Sequence, residues 1–214
     1  MLFRSQSVGA SLVHYSTDYV FDGGKPGAYV ETDQANPLSA YGRSKLAGEV
    51  AITDSGAQAL ILRTAWVAGA HGANFVKTIL QLAREHDHLR VIADRVGVPT
   101  TVELVADVTT DLLARYWMLD DRRTFPLGLY HLASEGQTSW HGYAAEILTQ
   151  AQARGIALKA TSERVTPILA ADYPAAASRP ANSCLDTSKL QQTFGMVLPD
   201  WRVGVCRLLD QIFR

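Results

Sequence analysis

The chain has 214 residues and contains no hydrophobic run approaching the ~20 residues that a membrane-spanning helix requires. It has no excess of either charge, with a net charge of −1, so nothing points to a nucleic acid or an anionic membrane surface as partner. Cysteine is scarce: only Cys184 and Cys206 occur, far apart and in no metal-ligand spacing. That excludes a disulfide framework and a cysteine metal site, and points to free thiols in a reducing cytosol. The opening "MLFRSQSVGASLVHYS" lacks the long apolar centre and small-residue cleavage pattern of a signal peptide. Low-complexity tracts and internal repeats are also missing. What remains, 47% hydrophobic and 19% charged, is the composition of a cytoplasmic globular protein large enough to bury a core.

The most telling absence concerns glycine. No segment reads as strand, G-x-G-x-x-G, helix. "DGGKPG" (22–27) has three glycines, but Pro26 marks it as a loop with no helix following at once. "AGAHGANF" is closer to a helix start, yet it follows the segment 14–49 rather than preceding it.

Apolar runs rich in β-branched residues alternate with helical periodicity. "ASLVHYS" (10–16) and "ALILRTAWV" (59–67) read as buried strands, and "AYGRSKLAGEVAITDSG" between them as a helix ending at Gly56. Strand, long loop, helix, strand implies a parallel α/β sheet. "NFVKTILQLAREHDH" (74–88) predicts an amphipathic helix with Phe75, Ile79, Leu82 and Val76 inward. "LRVIAD" and "GLYHLA" read as strands, and 101–119 as a helix despite its β-branched residues. A further helix follows Thr138 or Ser139 as cap. "VTPILAADYPAAASRPANSCL" carries prolines and no sustained period, so it is expected to be an irregular loop region. Two short helices, each starting at an aspartate, close the chain.

Tyr41 and Lys45 stand at i and i+4 and so share one helix face. A free tyrosine is a poor acid at neutral pH, and a lysine ammonium alongside favours its phenolate. Ser16 and Thr17 leave the end of a strand, where parallel sheets meet ligands at the carboxyl edge. A hydroxyl there can hold a carbonyl while the tyrosine hands it a proton, which suits hydride transfer to a ketone with a cofactor supplying the hydride. Alone, a Tyr-x-x-x-Lys pair is usually a solvated face; the order strand, Ser-Thr, 23 residues, Tyr, three residues, Lys is far more specific.

With "HYSTDYVFDG", "YGRSKLAGE", "LRTAWV", "NFVKTIL", "GVPT", "GLYHLA", "TSWHGYA" and "RPANSCLDTSKL" in order along nearly the whole chain, the sequence resembles the extended short-chain dehydrogenases that act on nucleotide sugars. Within them it is most similar to the branch that reduces a dTDP-4-dehydro-sugar at the last step of dTDP-L-rhamnose formation for cell-surface polysaccharide. The resemblance implies an α/β fold. A partial Rossmann-like parallel sheet occupies residues 1–70, and a smaller, mainly substrate-binding domain occupies 71–214. Some elements, at about 90–133, return to the sheet. It implies Tyr41 as proton donor, Lys45 as its partner on the nicotinamide ribose, Ser16 at the cofactor, and Thr17 completing the trio. It places Asp18 at the sugar, Trp66 as an aromatic wall against it, and Arg179 and Asn182 near the nucleotide diphosphate. Trp66 also reads as a plain core tryptophan, and Arg179 as a surface arginine.

By resemblance only, Mg2+ is implied at Glu103, where some relatives place a ligand at a dimer contact; one carboxylate on a helix is more often just solvated, and no other metal site is read. NADPH or NADH is the implied cofactor, a dTDP-sugar the substrate, and a homodimer the intact form. The chain departs from the family in lacking the first strand–helix units, which take the cofactor's pyrophosphate. It is therefore expected to be a fragment, its strand 10–16 at an open edge, inactive alone. Two other readings stay open. One is an epimerase or 4,6-dehydratase of the same family, against which Tyr19 stands where a dehydratase needs a glutamate. The other is a non-catalytic subunit like the methionine adenosyltransferase regulatory subunit.

Overall fold

The computed structural model describes Ser5, residues 7–173 and residues 179–214. Along the chain, β1 (Leu12–Thr17) is followed by α1 (Ala40–Asp54), β2 (Ala59–Thr64), β3 (Val67–Ala68) and α2 (Phe75–Glu85). Next come β4 (Leu89–Ile92), β5 (Val96–Gly97), β6 (Thr100–Thr101), α3 (Val102–Met118) and β7 (Gly128–His131). The chain continues with β8 (Thr138–Ser139), α4 (Trp140–Ala153), β9 (Val165–Ile168), α5 (Ser188–Phe194) and α6 (Trp201–Ile212). It divides into two compact units.

The first unit comprises residues 1–65, 105–133 and 177–198, and β7 brings the chain back to its sheet. Its sheet is wholly parallel in the order β1-β2-β7, with β1 at an edge as expected. The central strand β2 is buried along nearly its whole length, as a parallel strand covered on both faces must be. Ala59 and Ile61 pack with Ile52 of α1, and Leu12 and Leu129 close this cluster. By strand alternation Arg63 stands on that same face, toward α1. The register puts Ser16, Arg63 and His131 side by side across the three strands.

Ser39 caps α1, its hydroxyl accepting from Gly42 N at 3.0 Å, and Gly56, at φ 66°, ends it. The helix 101–119 forms as α3 despite its β-branched residues, because Val108, Thr109 and Leu112 are buried. Tertiary burial outweighs weak propensity there.

The second unit comprises residues 66–104, 134–176 and 199–214. Its core is built from α2, α4 and α6, with Ile79, Leu80, Tyr143, Ile147, Leu148, Trp201 and Leu208 buried. In α2 the buried side chains are Val76, Ile79, Leu80 and Ala83, while Phe75 and Leu82 are half-buried. The inward face is thus rotated from the sequence expectation. The segment read as irregular holds a strand: β9 pairs in parallel with β4, Pro167 opposite Val91. The pair is two-stranded, so a proline can sit in it with its missing N–H on the free side. Residues 174–178 of that segment lie outside the described residues, as do residues 1–4 and 6 of "MLFRSQ". Neither cysteine is in a disulfide; Cys184 is buried and Cys206 exposed. Among the described residues no helix is long and apolar enough to cross a membrane.

Candidate active site

The carboxyl end of β1 passes directly into a single 3-10 turn, Asp18–Val20. Thr17 caps this turn, its hydroxyl accepting from Tyr19 N at 3.2 Å and donating to Asp18 Oδ1 at 3.0 Å. Ser16, Thr17 and Asp18 are all buried. Burial pushes the Asp18 carboxyl up to about 6; the hydroxyls of Ser183 and Thr17 oppose that rise. Its other oxygen, Oδ2, and the Ser16 hydroxyl are buried without a hydrogen-bond partner among the described residues.

The first turn of α1 lies against this loop. A Cβ on Gly42 would fall 2.1 Å from Tyr19 O and 2.9 Å from Pro37 Cβ, so only glycine admits the approach. Tyr41 packs edge-on against Tyr19, ring centroids 5.7 Å apart. The Tyr41 side chain is 55% exposed, and its phenol makes no hydrogen bond among the described residues. One turn later, Lys45 donates from Nζ to Tyr15 O at 2.5 Å. Another turn on, Glu49 meets Arg63 in a two-pronged ion pair, Nε to Oε1 at 2.9 Å and Nη2 to Oε2 at 2.5 Å. The structure therefore gathers Thr17, Asp18, Tyr41 and Lys45 at the carboxyl end of one strand.

The remaining expected residues fall differently. Arg179 is exposed, and its charge acts on the Tyr19 phenol, favouring ionisation against the stronger opposing effect of burial. Asn182 is buried and fully engaged: Nδ2 donates to Lys25 O at 2.8 Å and Gly27 O at 2.6 Å, and Oδ1 accepts from Cys184 N at 2.9 Å. Its amide ties down the "DGGKPG" loop and keeps no free donor for a diphosphate. Gly23, at φ 81°, serves the same contact, since a Cβ there would lie 2.5 Å from Ala181 N. Gly24 faces only the Asp22 carboxyl, and Gly27 has open space beside it.

In the second unit, Trp66 is half-buried and stacks on Trp140, centroids 3.8 Å apart and rings 15° from parallel. Phe75 and Tyr143 complete the aromatic group. Trp66 adopts φ 44°, among the described residues the one left-handed backbone outside glycine. Glu103 is half-buried in the first turn of α3, and no metal-holding cluster of three His, Cys, Asp or Glu occurs among the described residues.

Sequence reasoning missed Tyr19, Ser183, Gly42, Trp140 and the Glu49–Arg63 pair. Glu49 was detectable, being i+4 from Lys45; its partner 14 residues on was not.

The profile of the RmlD substrate binding domain matches residues 3–213. The chain is 45% identical to a dTDP-4-dehydrorhamnose reductase of Burkholderia thailandensis over 94% of this chain and 68% of that one. It is 46% identical to its Escherichia coli K12 counterpart over 98% and 68% of the two chains. The chain belongs to the dTDP-4-dehydrorhamnose reductase family. A solved reductase of this family, from Bacillus anthracis in complex with NADP, superposes with a TM-score of 0.85 at 33% identity, covering 98% of this chain and 69% of that one. Family membership makes this chain an oxidoreductase of the extended short-chain dehydrogenase type, and its parallel α/β sheet is that fold.

Proposed function

We propose that the chain carries the catalytic residues for the NAD(P)H-dependent reduction of dTDP-4-dehydro-β-L-rhamnose to dTDP-β-L-rhamnose. One observation carries the reading: an exposed phenol, free of any hydrogen bond within the described residues, sits on a helix face with a lysine tied to the end of the Ser-Thr strand. In this reading Tyr41 gives its proton to the C4 oxygen as that oxygen gains charge. Lys45 supplies a fixed positive charge one helical turn from the phenol. Thr17 gives its one hydroxyl proton to Asp18, and turning that proton to the C4 oxygen makes it a donor to substrate. Asp18 Oδ2, buried and without a partner, is the acceptor we assign to a sugar hydroxyl. Arg179 offers a forked cation to the diphosphate.

The donors present fit the nicotinamide-ribose end of the cofactor: an ammonium and a phenol, one turn apart on an exposed helix face. The bound nicotinamide supplies the hydride. No glycine-rich turn for its pyrophosphate occurs in these 214 residues, so Lys45 and Tyr41 are the only contacts we assign to it.

The test is turnover of dTDP-4-dehydro-β-L-rhamnose with NADPH and with NADH by the protein carrying this chain. Tyr41→Phe should lower kcat by about 10²–10⁴ with little change in substrate affinity. Retention of most of kcat by that variant rules out the proton-donor role.

A further inference from the structure

The pair Glu49–Arg63 has no part in the chemistry above, and its placement is unusual. Both side chains are about 95% buried, with 5% of Arg63 and 6% of Glu49 exposed. Burying two charges removes them from water, and an ion pair so buried is commonly no more stabilising than apolar side chains of the same volume. Its presence calls for a role beyond holding the fold.

Geometry supplies one. Tyr41, Lys45 and Glu49 recur every four residues along α1 and share a face. Three close contacts pin that face to the sheet unit, about one turn apart: Gly42 on Tyr19 O, Lys45 on Tyr15 O, and Glu49 on Arg63. The first two are single points about which a helix can pivot. The third is a planar fork with two parallel bonds, which fixes rotation as well as distance. Arg63 is itself held from several sides. Its strand neighbours are Ser16 and His131. Its carbonyl accepts from Leu132 N at 2.8 Å. Its guanidinium lies 5.0 Å from the centre of the Phe21 ring, which stacks on Tyr29.

We propose that the Glu49–Arg63 fork is the positioning element of the site, fixing the rotation and depth of α1 so that Tyr41 and Lys45 stand in register with Thr17. The proposal rests on the catalytic reading of Tyr41 and Lys45. A misplacement of about 1 Å at a reacting group costs on the order of 10²-fold in rate, so a lost fork acts on the chemical step while leaving nucleotide recognition alone.

The test uses the protein carrying this chain in three forms: the double variant Glu49→Met/Arg63→Met, which removes both charges together; Arg63→Lys, which keeps the charge and loses the fork; and Tyr41→Phe. The double variant is expected to melt within about 5 °C of the parent, with kcat lowered roughly 10–100-fold and KM for the dTDP-sugar within about 3-fold. Arg63→Lys should lower kcat in the same direction. A double variant or Arg63→Lys with kcat within 3-fold of the parent overturns the proposal. So does a double variant whose activity loss is matched by collapse of its melting transition, because the pair then serves the fold alone. Near-normal kcat in Tyr41→Phe instead defeats the underlying catalytic reading, which separates the two failures.

Discussion

Replacing Asp18 by Asn removes a carboxyl that burial holds protonated to about pH 6, against an ordinary value of 3.8. Between those values the folded chain binds more protons here than the unfolded chain does. Stability from this group is therefore greatest below about pH 4 and is lost as pH rises through 6. A displacement of about two units, at roughly 1.4 kcal/mol each, makes that loss about 3 kcal/mol. His131 acts in the opposite sense. Its ring is buried beside the Arg63 guanidinium, and burial, helped by that charge, lowers it from 6.5 to about 4. The folded chain binds fewer protons there, so stability is fully present above about 6.5 and is lost by about 3 kcal/mol as pH falls through 4. Over pH 4–6 the two slopes oppose one another in the parent chain. Asp18→Asn cancels one and exposes the other. Urea unfolding of both chains, followed by circular dichroism at pH 4, 5, 6 and 7.5, measures the difference directly. The variant should gain about 3 kcal/mol relative to the parent between pH 4 and 7.5, whatever constant offset the new amide brings. A difference that stays flat within about 0.5 kcal/mol across that range refutes the reasoning.

Two further substitutions test the backbone. Gly42→Ala should destabilise the chain by about 1–3 kcal/mol and depress turnover, since its methyl would stand 2.1 Å from Tyr19 O; unchanged melting and kcat would show that the approach is not tight. Trp66→Gly should be about 1 kcal/mol more stable than Trp66→Ala in urea, the reverse of the usual order, because φ 44° strains any residue with a Cβ. Equal stability of the two would remove the strain.

Much of the fold was legible because its signals are local. The strand–loop–helix–strand order from β1 to β2 needs only apolar runs, a helical period and a terminal glycine, and each lies where the pattern put it. The sharing of one face by Tyr41 and Lys45 follows from helical period alone. What stayed hidden depends on partners distant in sequence. Asn182 looked free to meet a ligand until Lys25 and Gly27, some 155 residues earlier, were found to use its amide. β9 was unreadable because its pairing with β4 spans about 76 residues and contains a proline. The rotation of α2 arises from Ala83, too small to weigh in a hydrophobic pattern yet completely buried.

The places where local rules fail also mark out the expected site residues from the rest. Asp18 is a carboxyl buried with an unpartnered oxygen, and Trp66 is a bulky residue in a left-handed conformation. Neither arrangement helps the chain fold, and each persists because its surroundings leave no alternative: the Thr17 cap for one, the Trp140 stack for the other. Asn182 shows the contrary case. It obeys every rule, with all of its amide hydrogen bonds made, and so reads as a strut for the loop above it. Local frustration thus sets Asp18 and Trp66 apart from Asn182. Asn182→Ala should accordingly lower stability first, with activity falling only as the loop at 22–27 loosens.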